Sequence, residues 1–350
     1  MPSWGQAVRG RRPGSVVITY RPPRPSELAD CALIWYAAVD EYMARLNRPL
    51  PSPYLDPLLV HQRHLLATDP ERFLVAVRPA GVGATEGATD GREQIVGFGI
   101  AAQREHVWFL SQLYVLPQEQ GRGIGRALLT QILPSLSAEE TQAAGRSARA
   151  TEPDGARHGV LAMCTDSAQP ASNGLYSRFG IVPRLPVFNL VGTPSPAALS
   201  RLPAGIAAVP FDRPDSTGST ESDAIDAIDR QVLGYVHPED HAYLRANGRS
   251  GFVYRTEDDE PIGYGYSSEA GRFGPVALLD DTLTSPVLGH LMTAIRPRGA
   301  TSVWVPGAND RAMVALLRAG LRIEGFPALL CWSRPFARFE SYLPASLALL

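Results

Sequence analysis

Between residues 120 and 126 the chain reads Gln-Gly-Arg-Gly-Ile-Gly-Arg. Glycine at alternate positions lets the backbone approach a ligand with its amide hydrogens turned outward, and such a loop feeding a helix N-terminus is an anion site. Arg122 and Arg126 add fixed positive charge, and a guanidinium fork donates two bonds at once to phosphate oxygens. A pyrophosphate suits this chemistry. Two phosphate-binding patterns are excluded by spacing. The dinucleotide fingerprint requires G-x-G-x-x-G and an acidic residue about 20 positions on; the chain gives G-R-G-I-G-R without that acid. The triphosphate loop ends in Gly-Lys-Ser/Thr, and all 33 basic residues here are arginine. What is left is a different pyrophosphate loop or an ordinary β-α turn.

The elements around the loop must position it. Residues 106–115 are a nearly unbroken apolar, aromatic and β-branched run, the length of a buried strand, and Pro117 ends it. Ile124, Leu128, Ile132 and Leu136 then recur every four positions, which makes one buried helical face. The helix therefore starts inside the glycines. Residues 163–183 read as a second strand leading into a helix, on which 169, 173 and 176 share a face.

These two stretches resemble the motifs of the GCN5-related N-acetyltransferase (GNAT) superfamily. Gln120, Gly123 and Gly125 match the Q-x-x-G-x-G of its acetyl-CoA loop. Leu175, Tyr176 and Gly180 match L-Y-x-x-x-G-F, with Ile181 replacing the aromatic residue. The family's asparagine seven residues before the tyrosine is Gln169 here, and Asn173 lies one turn later. The motifs cover roughly residues 15–190. The resemblance implies an α/β (α+β) fold of two tandem GNAT-like domains, each a mixed, mostly antiparallel central sheet flanked by helices. It also implies acetyl-CoA as co-substrate and direct transfer of the acetyl group to a primary amine.

By the same resemblance, acetyl-CoA is expected to meet three groups of residues. Leu113, Tyr114 and Val115 would hold the pantetheine arm and the acetyl carbonyl by their backbone, on a strand splayed from the one at 160–165. Gln120, Gly121, Arg122, Gly123, Ile124, Gly125 and Arg126 would hold the pyrophosphate. Gln169, Asn173 and Tyr176 would complete the site. Tyr176 suits the general acid, because a phenol with a reference pKa of about 10 stays protonated at neutral pH and can serve a thiolate whose own value is about 8.5. Its bland reading is core packing at a helix end. A backbone N-H of the 113–115 strand would stabilise the oxyanion. The base is the weak point. Many family members carry glutamate eleven residues before the loop glutamine, where this chain has Phe109. Glu105 and His106 stand nearby, and some tandem GNAT enzymes use a C-terminal carboxylate, which here is Leu350. Cys164 could serve a ping-pong route, although a buried strand cysteine is more often inert.

Length and composition set the frame. A chain of 350 residues points to two domains, and 45% hydrophobic content is ordinary for a packed core. A net charge of −2 argues against a nucleic-acid partner. Three scattered cysteines fit a reducing compartment, and they show no metal-ligand spacing. No apolar run approaches the ~20 residues of a membrane span, so the expectation is a cytoplasmic protein without membrane contact or bound metal. Residues 1–14 read as a disordered terminus, 16–20 as a strand, 26–46 as a helix capped by Ser26, and 58–67 as a helix carrying His61 and His64. The two histidines lack a third ligand and read as solvated. By resemblance, this helical region borders the acceptor pocket. Strands follow at 73–77 and 95–101, separated by a flexible hairpin tip, and 137–158 reads as a mobile insertion.

The order of elements then repeats. A linker at 192–204 separates a catalytic domain at 15–191 from a second at 205–350, with strands at 206–211, 251–255, 261–268 and 275–280 and a helix around 223–236. Residues 113–134 align without gaps on 276–297, placing Leu283, Thr284, Pro286 and Leu288 opposite Gln120, Gly121, Gly123 and Gly125. Leu316 stands opposite Tyr176. The second copy is thus degenerate and suits walling the acceptor pocket or homodimerisation. Asp223, Asp226 and Asp229 read as complements of a helix dipole in solvent, and His237 and His241 as a helix boundary. The acceptor is expected to be a small-molecule amine or a peptide. The alternative reading is a non-catalytic acyl-CoA-binding sensor.

Overall fold

The computed structural model describes residues 17–79, 93–134, 159–211 and 220–350. The expected disordered terminus, the hairpin tip and the insertion at 137–158 lie outside them. Two compact units form. One contains Met1–Arg63, Phe73–Gly99 and Leu113–Ile132; the other contains His64–Arg72, Ile100–Gln112 and Leu133–Leu350.

In the first unit β1 (Thr19–Arg21) pairs antiparallel with β2 (Phe73–Arg78). Helices α1 (Leu28–Arg45) and α2 (Asp56–Thr68) lie between them in the chain. Ser26 does not cap α1. It lies inside a 3-10 turn over Pro25–Glu27, and Glu27 takes the N-cap position, its carboxylate accepting the Arg24 amide at 2.7 Å. The turn leaves no room for a serine cap because the chain is already helical there. β3 (Gln94–Arg104) and β4 (Val107–Val115) run from one unit into the other. α3 (Ile124–Ile132) buries Ile124, Leu128, Leu129 and Ile132, the face that the four-residue period predicts. Ile124 and Leu128 pack on Ala76 and Val96 of the sheet. Burying four such side chains is worth roughly 1.5–3 kcal/mol each, so this one face fixes the helix that follows the loop.

In the second unit β4 pairs parallel with β5 (Val160–Asp166) from Val107↔Val160 to Leu110↔Met163, and the pairing ends there. α4 (Pro170–Ser177) leads to β6 (Val182–Gly192). The second half then repeats the order: β7 (Ala207–Pro210), α5 (Thr220–Val232), α6 (Pro238–Ala246), β8 (Ser250–Arg255), β9 (Pro261–Ser267), β10 (Arg272–Phe273), β11 (Val276–Leu278), α7 (Thr284–Ala294), β12 (Thr301–Pro306), α8 (Asp310–Arg318) and β13 (Arg322–Trp332), closed by β14 (Tyr342–Leu343). The helix expected around 223–236 is α5, which ends at Val232, and a further helix, α6, follows it. Gly234 at φ +81° and the missing amide of Pro238 stop one and start the other.

The two halves exchange their last strands. β5 pairs antiparallel with β13, β12 pairs antiparallel with β6, and β6 and β13 pair with each other along their length. Val187, Leu190, Ala328 and Leu330 are buried there. β14, β11, β9, β8 and β7 form a second, antiparallel sheet. Among the described residues no helix is long and apolar enough to cross a membrane.

Candidate functional site

β4 runs into a 3-10 turn at Pro117–Glu119, and α3 begins five residues later. Gly121 and Gly123 take φ +76° and +86°, a left-handed backbone in which any Cβ is strained. A Cβ placed on either would meet no atom within 4 Å, so the loop borders open space rather than packed protein. The first helical bond of α3 runs from the Ala127 amide to the Gly123 carbonyl at 3.0 Å. The amides of Ile124, Gly125 and Arg126 precede it and have no acceptor within the helix. Open space beside left-handed glycines, free amides and a helix N-terminus together fit a pyrophosphate.

The loop is tied down from beneath. Glu119 is buried and accepts from Arg78 at 2.7 Å and from Arg122 at 3.0 Å, while Gln120 Nε2 donates to the Val115 carbonyl at 3.0 Å. Arg122 is thus half committed to Glu119, whereas Arg126 is exposed. Arg78 and Glu119 were not legible as a pair, being 41 residues apart. Tyr114 packs edge-on against Trp35 of α1 and tilted against Phe98 of β3, with ring centroids 6.4 and 5.8 Å apart. Leu113 and Val115 join the cluster under α3.

In the second unit Tyr176 ends α4 at 5% exposure. Gln169 stands at the N-cap of α4 with extended backbone, and Asn173 Nδ2 donates to the carbonyls of Asp166 and Gln169 at 3.2 and 3.1 Å. The buried Asn173 Oδ1 makes no hydrogen bond, so an acceptor is left for a ligand. Glu105 sits at φ +46° in the turn between β3 and β4 and pairs with Arg230 at 3.0 Å. His106 lies in the same turn, edge-on to Tyr235. Phe109, Leu349 and Leu350 share one buried cluster, and Ser111 Oγ donates to the Ala348 carbonyl at 2.8 Å, which lays the C-terminal residues against β4. Burial pushes the Cys164 thiol up, away from the thiolate that a ping-pong nucleophile requires.

A second constellation forms where solvated side chains are expected. His61 and His64 are not solvated: His61 is buried, and His64 Nε2 lies 2.8 Å from Asp240 Oδ1 while its ring stacks on Tyr243. Asp229 is fully buried rather than facing solvent, because it is on the core side of α5 with Ile225 and Val232. His237 is the N-cap of α6, as a helix boundary requires, yet it and His241 are buried too. Arg104 donates to both oxygens of Asp240 at 2.9 and 2.8 Å and to Asp69 at 2.9 Å. Burial opposes the charge on Arg104, but Asp240 and Asp69 outweigh it and raise the pKa. Burial likewise opposes ionisation of Asp240, and His237, His64 and Arg104 beside it hold it well below the carboxylate range. Burial also works against an imidazolium at His237, and Asp229 and Asp240 overcome it, raising the pKa to about 10. A buried Asp at the end of an otherwise acidic helix face, followed by His-x-x-x-His, is the only sequence signal of this cluster.

Residues 69–180 match a family model described as an acetyltransferase (GNAT) domain. No curated protein matches the chain. A proposed acetyltransferase from Pyrococcus horikoshii is similar at 14% identity over 98% of this chain and 100% of that one, with a TM-score of 0.64. A GCN5-related N-acetyltransferase from Sphaerobacter thermophilus is similar at 16% identity over 93% and 98%, with a TM-score of 0.54. A GCN5-related glucosamine N-acetyltransferase region of a fungal multi-domain β-N-acetylglucosaminidase is similar at 12% identity over 91% of this chain and 38% of that one, with a TM-score of 0.52. Residues 69–180 thus match a GNAT acetyltransferase domain, and the chain has the fold of the GNAT acetyltransferases it is similar to.

Proposed function

We propose that the protein transfers an acetyl group from acetyl-CoA directly to a primary amine of a small molecule or peptide, with the 15–191 half performing the chemistry. The observation that carries this reading is the loop at 121–126, with left-handed Gly121 and Gly123 beside open space at the start of α3. Its amides and Arg126 hold the pyrophosphate, and the backbone of Leu113, Tyr114 and Val115 aligns the thioester and stabilises the oxyanion as the amine attacks. Tyr176 gives its phenol proton to the departing thiolate. Among the base candidates, Glu105 is engaged by Arg230 and stands at the far end of β4 from Val115. The Leu350 carboxylate is another candidate, on a residue whose side chain belongs to the same buried cluster as Phe109. The 205–350 half walls the acceptor site or mediates homodimerisation, in a cytoplasmic protein that binds neither nucleic acid nor membrane.

A binding-only reading draws on two observations: Tyr176 is 5% exposed, and Phe109 occupies the strand position where a base is expected. Free-thiol release from acetyl-CoA over a panel of primary amines separates the two. Release with at least one amine, reduced on replacing Tyr176 by Phe, supports transfer. Tight acetyl-CoA binding with no release against any amine supports the sensor.

A further inference from the structure

Independently of the acyl-transfer reading, we propose that Asp229, His237 and His241 form a binding site for one divalent transition cation of the Zn2+ type. Asp229 comes from the core face of α5, His237 is the N-cap of α6, and His241 follows one turn later on the same face. Their ligand atoms all lie within 4.8 Å of one another, and all three residues are buried.

The orientation of each side chain is that of a ligand set. His241 Nε2 lies 2.9 Å and His237 Nε2 lies 3.3 Å from the same oxygen, Asp229 Oδ2. Ligands bound at about 2.0–2.1 Å and separated by angles of 90–110° stand roughly 2.9–3.4 Å apart, and both His–Asp separations fall in that range. The outer atoms are held as metal-bound groups usually are. His241 Nδ1 meets the Tyr266 hydroxyl at 3.0 Å, His237 Nδ1 faces Asp240 Oδ2 at 3.5 Å, and Asp229 Oδ1 accepts from the Tyr264 hydroxyl at 2.7 Å.

Two further observations point to a missing ligand. His237 is 1% exposed, yet neither of its ring nitrogens makes an aligned hydrogen bond. Buried polar atoms are nearly always satisfied, so an unsatisfied imidazole with both nitrogens buried asks for a partner. The charges also fail to balance. Asp69, Asp229 and Asp240 are buried, and Arg104 is the guanidinium bonded to two of them, so the carboxylates outnumber it. A divalent cation in place of any imidazole proton makes the sum neutral. Two imidazoles and a carboxylate are donors that suit zinc, with a fourth position left for water, and burial makes the site structural rather than catalytic. Bound there, the ion would clamp α5 to α6 across the Leu233–His237 connection and hold together the buried side of the second half.

The test uses the full chain, stripped with a strong chelator at neutral pH and then given Co2+ or Zn2+ alone. One equivalent should remain after dialysis, Co2+ should show the visible bands of nitrogen and oxygen ligation, and Zn2+ should raise Tm. His237→Gln should lose at least roughly 100-fold in affinity. His290→Gln, in α7 and hydrogen-bonded to Tyr254, should bind as the parent does. If His237→Gln fails to fold, Tyr264→Phe, which removes only the hydroxyl on Asp229, should bind roughly tenfold more weakly. A parent chain that retains no metal and whose Tm ignores both chelator and Zn2+ overturns the proposal and leaves His237 with a proton instead. So does unchanged affinity in a folded His237→Gln chain.

Discussion

Replacing Gly123 by alanine separates a ligand loop from an ordinary turn. Gly123 has φ +86°, and a Cβ there meets nothing within 4 Å. The folded chain therefore loses only the cost of a left-handed alanine, roughly 1–2 kcal/mol, with no clash added. At about 2–4 °C per kcal/mol for a chain of moderate size, Tm should fall by a few degrees. A phosphate brought onto the loop meets the new methyl group and loses at least one charge-assisted backbone bond, worth about 1.5–3 kcal/mol. Acetyl-CoA affinity should then drop by roughly 10- to 100-fold. The control is Gly248→Ala. Gly248 has φ +80° and equally open surroundings, in the turn between α6 and β8. It should show the same small loss of Tm with no loss of affinity. Titration calorimetry and thermal unfolding of the three proteins decide the matter. Equal acetyl-CoA affinity for parent and Gly123→Ala, with equal Tm losses in the two variants, would refute the reasoning.

Other expectations follow from single contacts. Tyr176→Phe should lower turnover by roughly 100-fold while acetyl-CoA affinity holds, since only the proton is lost; unchanged turnover in a thiol-release assay removes the acid role. Arg104→Met leaves Asp69 and Asp240 buried without their guanidinium, so denaturant unfolding should show a loss of about 3–5 kcal/mol. Hydrogen bonds from Arg21, first among its partners, hold the Glu27 pKa below its ordinary 4.5. The stability this contributes is present above pH about 4.5 and is lost as pH falls through the depressed value. The Tm gap between the parent and Arg21→Ala should accordingly be open at pH 7 and narrow as pH falls below 4.5. Burial lifts the thiols of Cys31 and Cys331 to about 12, so both should resist alkylation at pH 8 until the chain is unfolded.

The strand-loop-helix at 107–132 was legible because every local signal agreed: an apolar run ended by proline, alternating glycines, and a four-residue period that buries Ile124, Leu128 and Ile132. The repeated order of the second half was legible for the same reason. The strand exchange was not. β6 and β13 carry equivalent patterns, and pairing β5 with one or the other satisfies the same hydrogen bonds, so the choice is made by the whole fold. The buried His and Asp cluster was misread on a rule that holds for isolated helices. Asp223 is exposed, but one turn and then another carry the face inward until Asp229 is buried. His64 looked solvated because its partner, Asp240, is 176 residues away.

One working acetyl-CoA loop per chain is the central expectation. The most direct measurement is the stoichiometry of acetyl-CoA bound to the purified full chain, read by calorimetry. One site per chain is the predicted result, since the loop before α7 has Leu283, Thr284, Pro286 and Leu288 in place of Gln120 and the three glycines. No heat at any concentration would mean that the glycine loop is only a turn. Two sites would mean that the second half is not degenerate.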